Sequence, residues 1–159
     1  MKKILLSAIS MLLCFSCAPT TTVQDIEKKR ASEDFVGVTY EYDWVQVYRA
    51  IMFVWKHSEV SPISHAYRES DTDYAQDERA IWVRLKAESS IDMAILFEPR
   101  GDSRTYVQFI EGDTPYYWRS KAIQYMIDES KFYLENGEKA YRKYTHEKQE
   151  TLKQESPWW

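Results

Sequence analysis

Three successive stretches of this chain alternate apolar and polar residues with a period of two, and no other feature narrows the possible folds as far. Ile81, Val83 and Leu85 fall on one side of a strand over Arg79–Ala87; Ile91, Met93, Ile95 and Phe97 do the same over Ile91–Glu98, and Thr105, Val107 and Phe109 over Arg104–Glu111. Polar residues hold most of the opposite positions, so these segments predict a sheet with one dry face and one wetter face. The links Glu88-Ser89-Ser90 and Pro99-Arg100-Gly101-Asp102-Ser103 are short and rich in turn formers, which suits antiparallel hairpins. A further strand is read at Ile63–Glu69.

Two helical patterns flank these strands. Phe35–Tyr42 reads as a first strand, after which Asp43 is an N-cap and Trp44, Val47, Tyr48, Ile51, Val54 and Trp55 recur at helical spacing, giving a helix over about 43–57. Pro62 stops it. Thr114-Pro115 opens a second helix whose apolar stripe runs through Ala122, Ile123, Met126, Ile127, Tyr133 and Leu134 to a stop at Asn136-Gly137. The order predicts an α+β fold: a two-layer domain with an antiparallel sheet of about four to five strands packed against two helices on the dry face. Glu138–Glu155 is mostly charged, with Tyr141, Tyr144 and Leu152 embedded. It reads as a solvated helix of marginal independent stability, left over for a partner, ahead of the tail Pro157-Trp158-Trp159.

The N-terminus carries an address. Lys2 and Lys3 precede an apolar run, Ile4–Phe15, of signal-peptide length and too short to span a bilayer. Leu-Cys-Phe-Ser-Cys then resembles a lipobox, with small Ser16 before Cys17, although the usual Leu three positions before the cysteine is here Cys14. The expectation is cleavage after residue 16 and acylation of Cys17, with a plain secretory signal as the alternative. Four segments follow: a signal peptide at 1–16, a lipidated flexible tether at 17–34, an α+β domain at 35–136, and a charged C-terminal helix with an aromatic tail at 137–159. Residues 18–34 contain Pro, Thr and charge but few apolar side chains; as a coil they reach roughly 20–25 Å. Cleavage removes both lysines and moves the formal charge from −4 to −6. It also removes Cys14, so with Cys17 acylated no disulfide, cysteine nucleophile or cysteine metal ligand is left. The residue after Cys17 is Ala18 and not Asp, which by resemblance to lipoproteins of double-membraned bacteria favours the outer membrane, facing the periplasm.

The runs YEYDWVQVYRAIMFVW, HAYRES, AIWVRLK and IDMAILFEPRGDSRTYVQFI, with the closing helix, together resemble small bacterial lipoproteins with a BamC-like helix-grip α+β domain, over about residues 35–135. The resemblance lies in layout and in the Asp-Trp…Val-Tyr-Arg-Ala helix start. It implies envelope assembly or apolar-ligand binding as function classes and transfers no functional residue.

No constellation of catalytic residues stands out. Asp71 and Asp73 resemble the opening of a calcium loop, but Gln76 and Trp82 stand where such a loop needs Gly and Glu, so an inter-strand loop is the simpler reading. His57, His65 and His146 lack the short spacing of a zinc site. Arg100-Gly101-Asp102 spells an adhesion tripeptide, yet a hairpin tip asks for those residues anyway. There is no Gly-x-Ser-x-Gly, and four glycines in the whole chain leave no phosphate loop. Glu41, Asp43, Glu98 and Glu111 could pair only through the fold.

Aromatic residues with polar handles are abundant, with 12 Tyr and 6 Trp. Tyr40, Tyr42, Trp82, Tyr106, Tyr116, Tyr117, Trp118, Trp158 and Trp159 fall on expected outward positions; of these, Trp82, Tyr106, Tyr116, Tyr117, Trp118, Trp158 and Trp159 are the candidate partner-binding residues, with core filling as the competing role. Acidic charge and an extracytoplasmic address argue against nucleic acid. The expected function is non-catalytic: a membrane-anchored envelope lipoprotein that binds a protein partner, without cofactor or metal. The alternative is a small apolar ligand or lipid held between the sheet and the second helix.

Overall fold

The period-two segments fold as the strands of one antiparallel sheet. The computed structural model describes residues 20–57, 72–74, 79–83, 90–113 and 119–155. Along the chain these form α1 (Val23–Ala31), β1 (Val36–Tyr40), α2 (Trp44–His57), β2 (Thr72–Tyr74), β3 (Ala80–Val83), β4 (Met93–Pro99), β5 (Thr105–Glu111) and α3 (Arg119–Glu155). The sheet order is β1-β5-β4-β3-β2, so β2 to β5 form a meander and β1 lies beside β5. β2 falls in the acidic stretch expected to be a loop: it pairs with β3, Asp73 opposite Trp82, because an edge strand needs only backbone partners on one side. The strand expected at Ile63–Glu69 lies outside the described residues.

Register sets the dry face. Ile81 stands opposite Ile95, Ile95 opposite Phe109, Phe97 opposite Val107, and Val107 opposite Val38, so one continuous apolar layer crosses the sheet. α2 and α3 cover it with Val47, Ile51, Val54, Trp55, Ile123, Met126 and Ile127. α2 begins where Asp43 Oδ1 accepts from the N–H groups of Val45 and Gln46, at 2.9 and 3.1 Å. The fold is thus the two-layer α+β domain that the alternation implied.

The expected flexible tether is instead ordered from residue 20. Thr22 caps α1 in a reciprocal box: its hydroxyl accepts from the Asp25 N–H at 3.3 Å, and Asp25 Oδ2 accepts from the Thr22 N–H at 2.9 Å and from its hydroxyl at 2.7 Å. Those bonds hold the Asp25 carboxyl below the ordinary aspartate range. The helix then inserts Ile26, with 0% exposure, into a second apolar cluster with Ile91, Ala94 and Ile110, packed by Phe35, Trp82 and Leu96 on the face of the sheet expected to be wet. Ile91 belongs to this cluster and not to the dry face, because β4 starts only at Met93.

The segment preceding α1 is held as firmly. Thr21, 1% exposed, donates its N–H to Ser90 Oγ at 2.9 Å, accepts from the Ile91 N–H at 2.9 Å on its carbonyl, and accepts from the Asp113 N–H at 2.7 Å on its hydroxyl. Gly112 makes room for this knot: a β-carbon there would overlap the Ile91 carbonyl oxygen, a backbone atom that cannot step aside. Gly112→Ala is expected to cost about 2–3 kcal/mol, read as a lower urea midpoint with an unchanged m-value.

α3 reverses direction. Gly137 has φ 79° and ψ 172°, a backbone open to glycine alone, and the two arms fold into a hairpin. In a straight helix Tyr125 and Lys148 would sit about 34 Å apart. Here the Lys148 ammonium is 5.1 Å from the Tyr125 ring, Phe132 stacks on Tyr144 with centroids 4.5 Å apart, and the Tyr141 hydroxyl donates to Glu129 Oε2 at 2.6 Å. Tyr141 is completely buried, against Phe53 of α2 and Tyr133. The segment from 137 is therefore not a solvated appendage: it shares one core with 35–136, because Tyr141, Tyr144, Thr145 and the Lys148 stem supply the stripe that Leu and Ile supply elsewhere.

Tyr40, expected outward, is also in the core, its hydroxyl 2.9 Å from Ser130 Oγ. Burial pushes its phenol up to about 12, opposed by the Ser130 hydrogen bond and aided by the Asp128 carboxylate. Up to pH 10 both folded and unfolded chains keep the proton; between pH 10 and about 12 only the unfolded chain loses it, so stability falls across that window. Tyr40→Phe is expected to flatten that fall by on the order of 2 kcal/mol, measured by urea titrations at successive pH values.

Candidate functional site

Where β1 starts, the sheet and α3 do not close on each other. α1 ends in a Schellman turn: the Asp34 N–H reaches the Lys29 carbonyl at 2.9 Å and the Glu33 N–H that of Arg30 at 3.2 Å. Glu33 takes the left-handed position there, φ 59°, which glycine usually occupies. The turn brings Phe35 and Val36 into line with the end of β5, and Val36 pairs with Phe109. Between these strands and the first turns of α3 lies a cleft of about 330 Å³.

Its floor is apolar and its rim charged. Phe35, Val36, Phe109 and Ile123 line the floor, while Lys29, Glu33, Asp34, Glu111 and Gln124 ring it. The Lys29 ammonium lies 2.8 Å from Asp113 Oδ1 and 3.8 Å from Asp34 Oδ2, so its charge is engaged by carboxylates of the same neighbourhood. Three rim carboxylates against one ammonium make the rim acidic, and Val36, 44% exposed, is one of the few large apolar side chains of the described surface open to solvent. An apolar floor within a charged ring suits an apolar side chain flanked by polar or cationic groups.

The aromatic candidates are placed differently. Trp82 and Tyr106 do share one face of the sheet, the α1 side, but the register separates them by two strands and four positions, roughly 15 Å. Trp82 is half-buried against the α1 cluster; Tyr106 lies over Gly37 with the Arg100 guanidinium 4.0 Å above its ring. They do not form a common patch with each other or with the cleft. Cys17, Tyr116, Tyr117, Trp118, Trp158 and Trp159 lie outside the described residues, as do His65 and Asp71. Arg100-Gly101-Asp102 forms the β4–β5 turn, closed by the Arg100 N–H on the Arg104 carbonyl at 2.8 Å, with Gly101 at φ 82°.

Glu41, Asp43, Glu98 and Glu111, considered for carboxylate pairing, take separate roles. Glu41 salt-bridges Arg104 at 3.0 Å, Asp43 caps α2, Glu98 meets Arg100 at 3.3 Å, and Glu111 stands at the cleft. Among the described residues no three His, Cys, Asp or Glu side chains converge as a metal site would require. Of the cleft, sequence reasoning singled out Glu111 alone. From the sequence, Phe109 falls on the dry sheet face, Ile123 on the stripe of the second helix and Phe35 at the start of the first strand, while Lys29, Glu33 and Asp34 fall in the tether. The one available signal was the Thr22-x-x-Asp25 capping spacing, which marks α1 and so implies that the acidic turn after it is structured.

No protein-family model, curated protein or solved structure matches this chain.

Proposed function

We propose that this chain is a non-catalytic envelope lipoprotein, acylated on Cys17 and held at a membrane, the outer membrane facing the periplasm where two are present, and that its domain binds a segment of a protein partner in the cleft beside β1. The carrying observation is the composition of that cleft. A volume of about 330 Å³ is at the small end for a ligand pocket but suffices for one or two side chains. The adjoining outer edge of β1 has no strand partner among the described residues, so its main-chain groups can receive an extended segment. A second reading, a small apolar ligand between sheet and helix, is favoured by one feature: Phe109 and Ile123 face the cleft from the two layers. Against it, the rest of that interface is already filled by side chains such as Met126, Val107 and Ile51.

A photo-crosslinking residue in place of Val36, compared with one in place of Asp102 at the distant hairpin, tests the proposal in cells. One dominant protein adduct from position 36 and none from 102 is the expected result; a lipid or metabolite adduct from position 36 that persists in Cys17→Ser protein released from the membrane establishes the second reading instead. Cys17→Ser is expected to move the protein from the membrane to the soluble fraction, measured by fractionation. Its retention on the membrane would refute the anchor.

A further inference from the structure

We infer that the anchored protein stands end-on, with the end of the sheet that holds Thr21 and the cleft against the lipid headgroups and the β4–β5 hairpin pointing away; this rests on the lipid-anchor reading above. The argument is one of chain length and fixed points. Thr21 is bonded to Ser90, Ile91 and Asp113, so the folded body begins four residues after Cys17. Four residues span at most about 14 Å even when fully extended. A coil from 18 to 34 would have let the domain turn freely; the link that exists does not reach far enough for that.

The attachment point decides which end faces the bilayer. Ile91 and Asp92 lead into β4, and Gly112 and Asp113 follow β5. These are interior strands of the order β1-β5-β4-β3-β2, so the anchor pulls near the middle of the sheet and not on one edge. Antiparallel pairing puts the start of β1 and the end of β5 at that same end, because Val36 pairs with Phe109. The cleft is there too, tied to the anchor point by Lys29 on Asp113 at 2.8 Å. The Arg100–Arg104 turn lies at the opposite end, separated by the seven residues of β5, about 20 Å. That end therefore faces the lipid surface, and a partner segment enters the cleft at headgroup level.

Energy transfer tests this on the full lipidated protein in phosphatidylcholine vesicles that carry a headgroup-linked acceptor. Donors are attached at Asp34→Cys, by the cleft, and at Asp102→Cys, on the far turn; acylation blocks Cys17, so each introduced thiol is the reactive one. Transfer from position 34 is expected to exceed that from position 102 several-fold. A flexible Gly-Ser insert of about 15 residues between Pro19 and Thr20, worth roughly 20 Å of reach, should erase the difference while leaving Thr21 bonded. Equal transfer from both positions without the insert, with Cys17→Ser protein fully released, overturns the orientation alone. Retention of Cys17→Ser protein on the vesicles overturns the anchor, and the orientation with it.

Discussion

Phe109→Ala is expected to lower the free energy of unfolding by about 3–5 kcal/mol and the melting temperature by roughly 10 °C. Phe109 is fully buried in β5, opposite Ile95 on one neighbouring strand and Val36 on the other, so its ring joins three strands to the helical layer. Truncation leaves a void that the sheet cannot collapse, since backbone hydrogen bonds on both sides hold β5 in place. It also enlarges the cleft from its floor. The two effects separate in one series: Phe109→Leu should recover most of the stability while changing the shape of the cleft, so a partner that reads the floor loses affinity in a domain that still melts cooperatively. Thermal unfolding of both variants, alongside crosslinking from position 36, measures this.

Tyr141→Ala should cost a similar amount, about 3–5 kcal/mol. The reason is the hairpin in α3. Tyr141 packs on Phe53 and Tyr133 and donates to Glu129 Oε2, while Glu129 Oε1 has no hydrogen-bond partner among the described residues. Tyr141→Phe keeps the ring and removes that donor, leaving a buried carboxyl without it, for about 1.5–3 kcal/mol. Pairing Tyr141→Phe with Glu129→Leu removes both polar partners at once and should return most of that loss, since a matched apolar pair has nothing left to satisfy. Urea titrations of the two single variants and the double give the coupling directly; additive losses would show that the hydroxyl–carboxylate contact does not hold the arm. The same contact means that deleting the arm after Gly137 is expected to unfold part of the core, since it removes Tyr141.

What could be read in advance divides along a physical line. β3, β4 and β5 were legible because alternation over a half-buried strand is a local consequence of backbone pleating, and each residue's side follows from its parity. α2 was legible for the same kind of reason: a cap at Asp43 and a stripe at helical spacing lie within 15 residues of each other. α1 was not, because its apolar content is essentially Val23 and Ile26, and the surface that makes Ile26 worth burying comes from Ile91, Ala94 and Ile110, far along the chain. The C-terminal arm of α3 is hidden from local reading for a similar reason. Its stripe is made of tyrosines, a threonine and a lysine stem, which look solvated until Glu129, Phe132 and Phe53 are placed opposite them.

The cleft belongs wholly to the second category. Phe109 and Ile123 read as core on any local rule, and they are core; they also line an opening because β1, the end of β5, α3 and the turn after α1 meet around it. By itself, then, the sequence determined the local periods, the caps and turns, the fold class, and the expectation of a lipid address at Cys17, since each of these follows from neighbours along the chain. The tertiary structure alone decided that the second sheet face is covered, that α3 folds back at Gly137, that the chain is fixed from Thr21, and where an apolar floor meets acidic rim. Those outcomes depend on groups brought together from up to 92 positions apart, as with Thr21 and Asp113, and no local pattern encodes such a meeting.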